Sequence, residues 1–235
     1  MKTIGIIGGI GPESTIAYYR LIILSFQNYE KRGNYPQIII NSINMKKMLD
    51  LIGENRLDDV TNFLVSEIHK LAKAGADFGV LASNTPHLVF NQIKPLSPLP
   101  LISIVEATCE KIKNIGIGRV GLFGTKFTME SGFYGDIFSA QGMEVILPDE
   151  KEQAYIHDKY MGELVKGIFK SETKKGLLKI ATNLKKIHGI QGLILGGTEL
   201  PLILKETDYN GLPFFDTTAI HVESIIKMLI NDNAH

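Results

Sequence analysis

Three short segments carry the side chains able to do chemistry, and each follows a run of apolar or β-branched residues. The first is Gly8-Gly9-Ile10-Gly11-Pro12-Glu13-Ser14-Thr15. Its glycines permit a sharp turn and close approach to a ligand, Pro12 suits a first helical turn, and free N–H groups at a helix start favour an anion. A dinucleotide fingerprint would need its third glycine where Ser14 stands, and no clear acidic residue ends the second strand, so a carboxylate suits this loop better than a nucleotide. The second segment is Ser83-Asn84-Thr85-Pro86-His87. Its Asn and Thr side chains and backbone amides either hold a small carboxylate or cap a helix. The third, Gly196-Gly197-Thr198-Glu199, admits the same two readings. His87 and Glu199 each have the chemistry of a general base; the alternatives are a structural hydrogen bond for His87 and an orienting role for Glu199.

The elements that must position these loops alternate between short apolar runs and helix-period segments. That pattern reads as α/β, with parallel sheets flanked by helices. The strand candidates are Thr3–Ile7, Gln37–Ile43, Phe78–Ala82, Leu101–Ile104, Arg119–Phe123, Glu144–Leu147, Gly192–Leu195 and Phe214–Asp216. Leu57–Lys73 and Lys174–Lys186 read as amphipathic helices, the first with Glu67 interrupting its apolar face. A weak repeat at an offset of ~113–117 residues sets Gly5-Ile6-Ile7-Gly8 against Gly121-Leu122-Phe123-Gly124, and Gly79–Thr85 against Gly192–Thr198. Two pseudo-symmetric lobes with a cleft between them are expected, the first formed by residues 1–100 plus 213–235 and the second by 101–212. Open α/β sheets bind ligands at their strand C-termini.

Composition narrows the function classes. The 235 residues are 44% hydrophobic, and 25 basic side chains balance 25 acidic ones. That balance leaves no electrostatic footprint for nucleic acid. One cysteine, Cys109, excludes an intramolecular disulfide and fits a reducing compartment. It falls in a helical segment as an ordinary small buried residue. His69, His157, His188, His221 and His235 show no metal-ligand spacing, so no metal is expected. The opening apolar run is broken by glycines and reads as a strand, not a leader, and no window reaches the length of a membrane span. A cytoplasmic protein with no membrane contact is the expectation.

Together, the three loops resemble the signature segments of aspartate/glutamate racemases, within the Asp/Glu/hydantoin racemase superfamily. The likeness extends to Leu122-Phe123-Gly124-Thr125 with Thr128, to Glu163-Leu164-Val165-Lys166-Gly167, and to Phe215-Asp216-Thr217-Thr218 followed by His221, in order along nearly the whole chain. It implies an isomerase that needs no pyridoxal phosphate or other cofactor, works as a homodimer, and binds aspartate, glutamate or a similar dicarboxylate. In such enzymes two cysteine thiols face opposite sides of the substrate α-carbon. Their positions here hold Ser83 and Gly197. The resemblance also implies that Gly9, Ile10, Asn84, Thr85 and Thr198 hold the α-carboxylate and amino group. Lys46 or Lys47, Lys166 and Thr128 would complete the ligand's seat, the lysines being otherwise solubilising.

The two departures fall on the chemistry itself. A thiol of pKa about 8.5 can be tuned into a thiolate base, a serine hydroxyl needs a neighbouring base, and glycine offers no side chain. A catalytically silent amino-acid binder and a one-base isomerase or lyase are therefore the alternatives to two-thiol racemisation.

Overall fold

The computed structural model describes residues 1–30, 33–205 and 207–230. Among them the order is β1 Thr3–Gly8, α1 Pro12–Gln27, β2 Gln37–Ser42, α2 Met45–Gly53, α3 Leu57–Lys73, β3 Phe78–Leu81, α4 Phe90–Ile93, β4 Leu101–Ile102 and α5 Ile104–Asn114. It continues with β5 Arg119–Gly124, α6 Lys126–Glu130, α7 Phe133–Ser139, β6 Glu144–Ile146, α8 Glu150–Gly162, α9 Ser171–His188, β7 Gly192–Gly196, α10 Leu200–Ile203, β8 Phe214–Asp216 and α11 Thr217–Ile230. All eight expected strands form, and both sheets are parallel with four strands each: β2-β1-β3-β4 and β6-β5-β7-β8. The repeat in the sequence corresponds to this shared order, because β1 and β5 hold one equivalent place and β3 and β7 the next.

The chain divides into two compact units, Met1–Ile104 with the segment from His221 onward, and Val105–Ile220. The changeovers thus fall at the start of α5 and within α11, later than the residues 100 and 213 expected from sequence. Pro100 and Pro213 immediately precede β4 and β8, which pair with β3 and β7 as the last strands of their own sheets. They mark strand starts, not crossings. The Leu101–Ile104 strand is also cut to two residues, since α5 already begins at Ile104.

In the first unit, alternate residues of β1 and β3 (Ile4, Ile6, Phe78, Val80) are fully buried against Tyr18, Ile22 and Phe26 of α1 and Val222, Ile225, Ile226 and Leu229 of α11. On the other face Leu71 of α3 and Ala76 close over Gly5. Glu67, the charge on that helix's apolar face, is buried yet satisfied. Its Oε2 accepts from Asn41 Nδ2 at 2.8 Å and from Lys70 Nζ at 2.7 Å. Burial opposes its ionisation, but the bonds from Lys70 and Asn41 outweigh that and hold it below the usual carboxylate range. In the second unit Leu184 of α9 and Ile190 cover Gly121 of β5. Cys109 is buried in α5, and burial raises its thiol pKa, which keeps it unreactive. No helix among the described residues is long and apolar enough to cross a membrane.

Candidate functional site

In both sheets the loops of interest leave the carboxyl ends of the strands. In the first unit β1 runs into Gly9, whose φ of +81° only glycine adopts freely. A β-carbon there would lie 2.5 Å from the Ile43 carbonyl oxygen. The Gly9 N–H does not stay free for an anion, as the sequence suggested; it donates to Thr15 Oγ1 at 2.8 Å. Ile10 is buried, and Ser14 Oγ donates to the Ala82 carbonyl, tying this loop to the end of β3.

After β3, Ser83 is half-buried and Asn84 and Thr85 are buried at the head of a 3₁₀ turn spanning Thr85–Val89. His87 is buried in the same turn, and both of its ring nitrogens meet main chain. The Ile104 N–H can only donate, so Nε2 at 3.2 Å is the bare nitrogen. Nδ1 therefore carries the proton and donates to the Ser83 carbonyl at 3.0 Å. His221 is arranged in reverse. Its Nε2 donates to the Ile102 carbonyl at 3.0 Å and Nδ1 accepts from the Tyr18 hydroxyl at 2.8 Å. Burial, reinforced by His221 with its ring centre 6.5 Å away, pushes the His87 pKa down to about 3. Burial lowers His221 to about 4. Both are neutral structural groups at neutral pH, and His87 has no lone pair to spare for proton abstraction.

The two lysines after β2 separate. Lys46 points outward, 81% exposed, and pairs with Asp50 at 2.6 Å. Lys47 Nζ lies 4.5 Å from the Phe63 ring centre and adds to the field that keeps Glu67 ionised.

In the second unit Thr128 is drawn into a helix cap. Its N–H donates to Thr125 Oγ1 at 3.2 Å, and the two hydroxyls meet at 3.1 Å. Glu163 is buried and accepts from Lys159 Nζ at 2.8 Å, from Thr173 Oγ1, and from Lys170 Nζ at 3.2 Å. Those bonds, with Lys159 foremost, pull its pKa down to about 2. Lys166, its neighbour in the sequence motif, is exposed instead. Asp216 caps α11 by accepting from the N–H groups of Thr218 and Ala219 at 2.9 and 3.1 Å. Among the described residues no group of three or more His, Cys, Asp or Glu is placed to hold a metal ion.

The end of β7 is where a residue overlooked in the sequence enters. Tyr160, on α8, is buried and its hydroxyl donates a short bond to Glu199 Oε2. Thr198 Oγ1 donates to the same oxygen at 2.8 Å. A β-carbon placed on Gly197 would stand 2.5 Å from Tyr160 Cε2 and 2.8 Å from its hydroxyl oxygen. Burial, then the adjacent Glu199 carboxylate, hold the phenol well above its ordinary range, so it stays a proton donor. No local pattern marks Tyr160, since it lies 39 residues before Glu199 on an unremarkable helix.

The family model for the Asp/Glu/Hydantoin racemases matches residues 7–225, which is most of the chain. The chain belongs to this family. Among its relatives, the broad specificity amino-acid racemase RacX of Bacillus subtilis (strain 168) is 31% identical over 154 residues, a match spanning 64% of this chain and 66% of RacX. A provisionally assigned Asp/Glu racemase from Yersinia pestis superposes with a TM-score of 0.89 at 34% identity, covering 98% of this chain and all of that one. An aspartate racemase homologue from Pyrococcus horikoshii OT3 gives a TM-score of 0.84 at 35% identity over 97% of this chain and 99% of its own. Within this racemase-family fold, nine of the thirteen sequence-selected residues fall into two local groups, while Lys46 and Lys47 lie on α2, Thr128 on α6 and Lys166 in the turn Leu164–Lys166. Gly9, Ile10, Ser83, Asn84, Thr85 and His87 lie at the strand ends of the first unit, and Gly197, Thr198 and Glu199 at the end of β7 with Tyr160.

Proposed function

We propose that this racemase-family protein binds a small acidic amino acid, aspartate or glutamate, without a cofactor, through the strand-end loops of β1, β3 and β7. Ser83 and Gly197 take the places of the two thiols, and the protein does not racemise by the two-thiol route. The observation that carries this reading is the packing at Gly197. The room a side chain would need there is filled by the Tyr160 ring, so the second thiol is replaced and not merely deleted. In the loop after β3, Ser83 offers a hydroxyl, and the imidazole of that loop, His87, spends both nitrogens on main chain. A hydroxyl without a base is a poor proton acceptor from carbon. Ile10, Asn84, Thr85 and Thr198 keep the roles of ligand partners, and Lys47 is better placed than Lys46 to meet a distal carboxylate, because Lys46 is engaged by Asp50. A cytoplasmic homodimer is part of the same proposal.

The test is thermal stabilisation of dialysed protein by L- and D-aspartate and L- and D-glutamate, with chiral analysis of the same samples. Stabilisation by at least one of them without appearance of its mirror image is expected. Interconversion of the enantiomers would overturn the proposal, as would the absence of stabilisation by all four.

A further inference from the structure

Gly197 and Tyr160 share one volume. A β-carbon on Gly197 would approach three atoms of the Tyr160 ring and hydroxyl to within 2.9 Å, closer than packed atoms allow. The same hydroxyl is committed to Glu199, whose Oε2 also accepts from Thr198 Oγ1. Among the described residues, Oε1 of Glu199 accepts no hydrogen bond. The carboxylate is thus clamped through one oxygen and left with the other, beside the position that in a two-thiol enzyme would carry a base. A fixed carboxylate with one uncommitted oxygen is a competent general base, because its orientation costs nothing at the moment of proton transfer.

We propose that Tyr160 is a positioning residue that fills the place of the missing side chain at 197 and holds Glu199 as the single base of the site. This rests on the amino-acid-binding reading above. Glu199 Oε1 takes the α-proton: the C–H bond breaks, an O–H bond forms, and the electron pair stays on the α-carbon, delocalised into the substrate carboxylate. The proton, or a deuteron acquired from solvent, returns from Oε1 to the same face. The product keeps its configuration, so this chemistry exchanges the α-hydrogen without racemising.

Two measurements test it. The first follows α-proton loss from each enantiomer of aspartate and glutamate in D₂O by proton NMR, alongside ligand-induced thermal stabilisation of each variant. Exchange of one enantiomer only is expected. Glu199→Gln should slow it by at least ~100-fold, in the range of a lost acid–base group. Tyr160→Phe should slow it by roughly tenfold, in kcat more than in KM, because the carboxylate loses the donor that fixes its orientation. A protein stabilised by the amino acid that exchanges neither enantiomer, or a Glu199→Gln variant as fast as the parent, overturns the role of Glu199 while leaving the binding proposal standing. The second measurement needs no ligand. Gly197→Ala should lower Tm by about 3–10 °C when Tyr160 is present and by much less in a Tyr160→Ala background. An equal loss in both backgrounds overturns the shared volume, whatever the amino-acid assays give.

Discussion

The loops that end β3 and β7 hold equivalent places in two sheets of the same strand order, yet they are built for different ends. In the first unit the titratable side chain of the loop, His87, is buried and exhausts its hydrogen-bonding capacity on the Ser83 carbonyl and the Ile104 amide. In the second, Glu199 is also buried but is held by two hydroxyls through one oxygen. The first arrangement spends a titratable group on holding main chain in place. The second, in the role proposed for Glu199, spends a phenol on aiming a titratable group. A duplicated topology therefore fixes where a side chain sits without fixing whether it supports or acts.

The largest effect should separate these two roles. His87→Ala removes a stacked, buried ring and its hydrogen bonds with the Ile104 amide and the Ser83 carbonyl, at a cost of about 3–5 kcal/mol in urea unfolding. Glu199→Gln keeps an acceptor for Tyr160 and Thr198 and should change stability by under ~1 kcal/mol. If the two costs were similar, the contrast between support and action would fail.

Acid sharpens the same contrast with a smaller effect. His87 and His221 are neutral in the folded protein down to about pH 3 and about pH 4. In the unfolded chain they gain protons below about pH 6.5. Below that value the unfolded state binds more protons, so stability is complete above it and falls as pH drops, levelling off only below the folded values. The slope approaches ~1.4 kcal/mol per pH unit for each histidine. Urea midpoints at pH 7, 6 and 5 should fall accordingly, and His221→Gln should remove about half of the slope. A flat profile would contradict the neutral state of the two buried rings.

The smallest effect concerns the two lysines after β2. Lys46→Ala, at an exposed ion pair, should cost less than ~0.5 kcal/mol and leave amino-acid binding unchanged. Lys47→Ala should cost ~0.5–1 kcal/mol through its ring contact, and weaken binding of the acidic amino acid severalfold in calorimetry. Equal binding by both variants would remove Lys47 from the ligand's seat.

The elements were legible in the sequence because burial on both faces of a parallel sheet leaves an unbroken apolar run. The central strands β1, β3, β5 and β7 are such runs, β2, β4 and β6 are only partly buried, and all eight match the expected bounds to within two residues at their ends. The crossings were less legible. A proline before an edge strand carries the same sign as a proline in a linker, and only the pairing of β4 and β8 tells them apart. Within the site, the loops that could hold chemistry were visible because small and polar residues cluster after strands. What each polar group touches was not. The engagement of His87 depends on the amide of Ile104, and the meaning of Gly197 depends on Tyr160, far away in sequence. An absent side chain shows in a sequence only as a loss; the side chain that moves into its room shows only in three dimensions.

The discontinuity of the first unit has a bearing on synthesis. Residues 105–220 form a continuous stretch and leave the ribosome with every part of their own unit in hand. The first unit does not. Its β1, β2, β3 and α1 emerge early, but Val222, Ile225, Ile226 and Leu229, which seal the core over Ile4 and Phe78, arrive only after the whole second unit has been made. Until then that apolar sheet face is covered only by α1, a natural ground for a chaperone's attention. His221, at the start of that closing segment, ties it to the Ile102 carbonyl and to Tyr18.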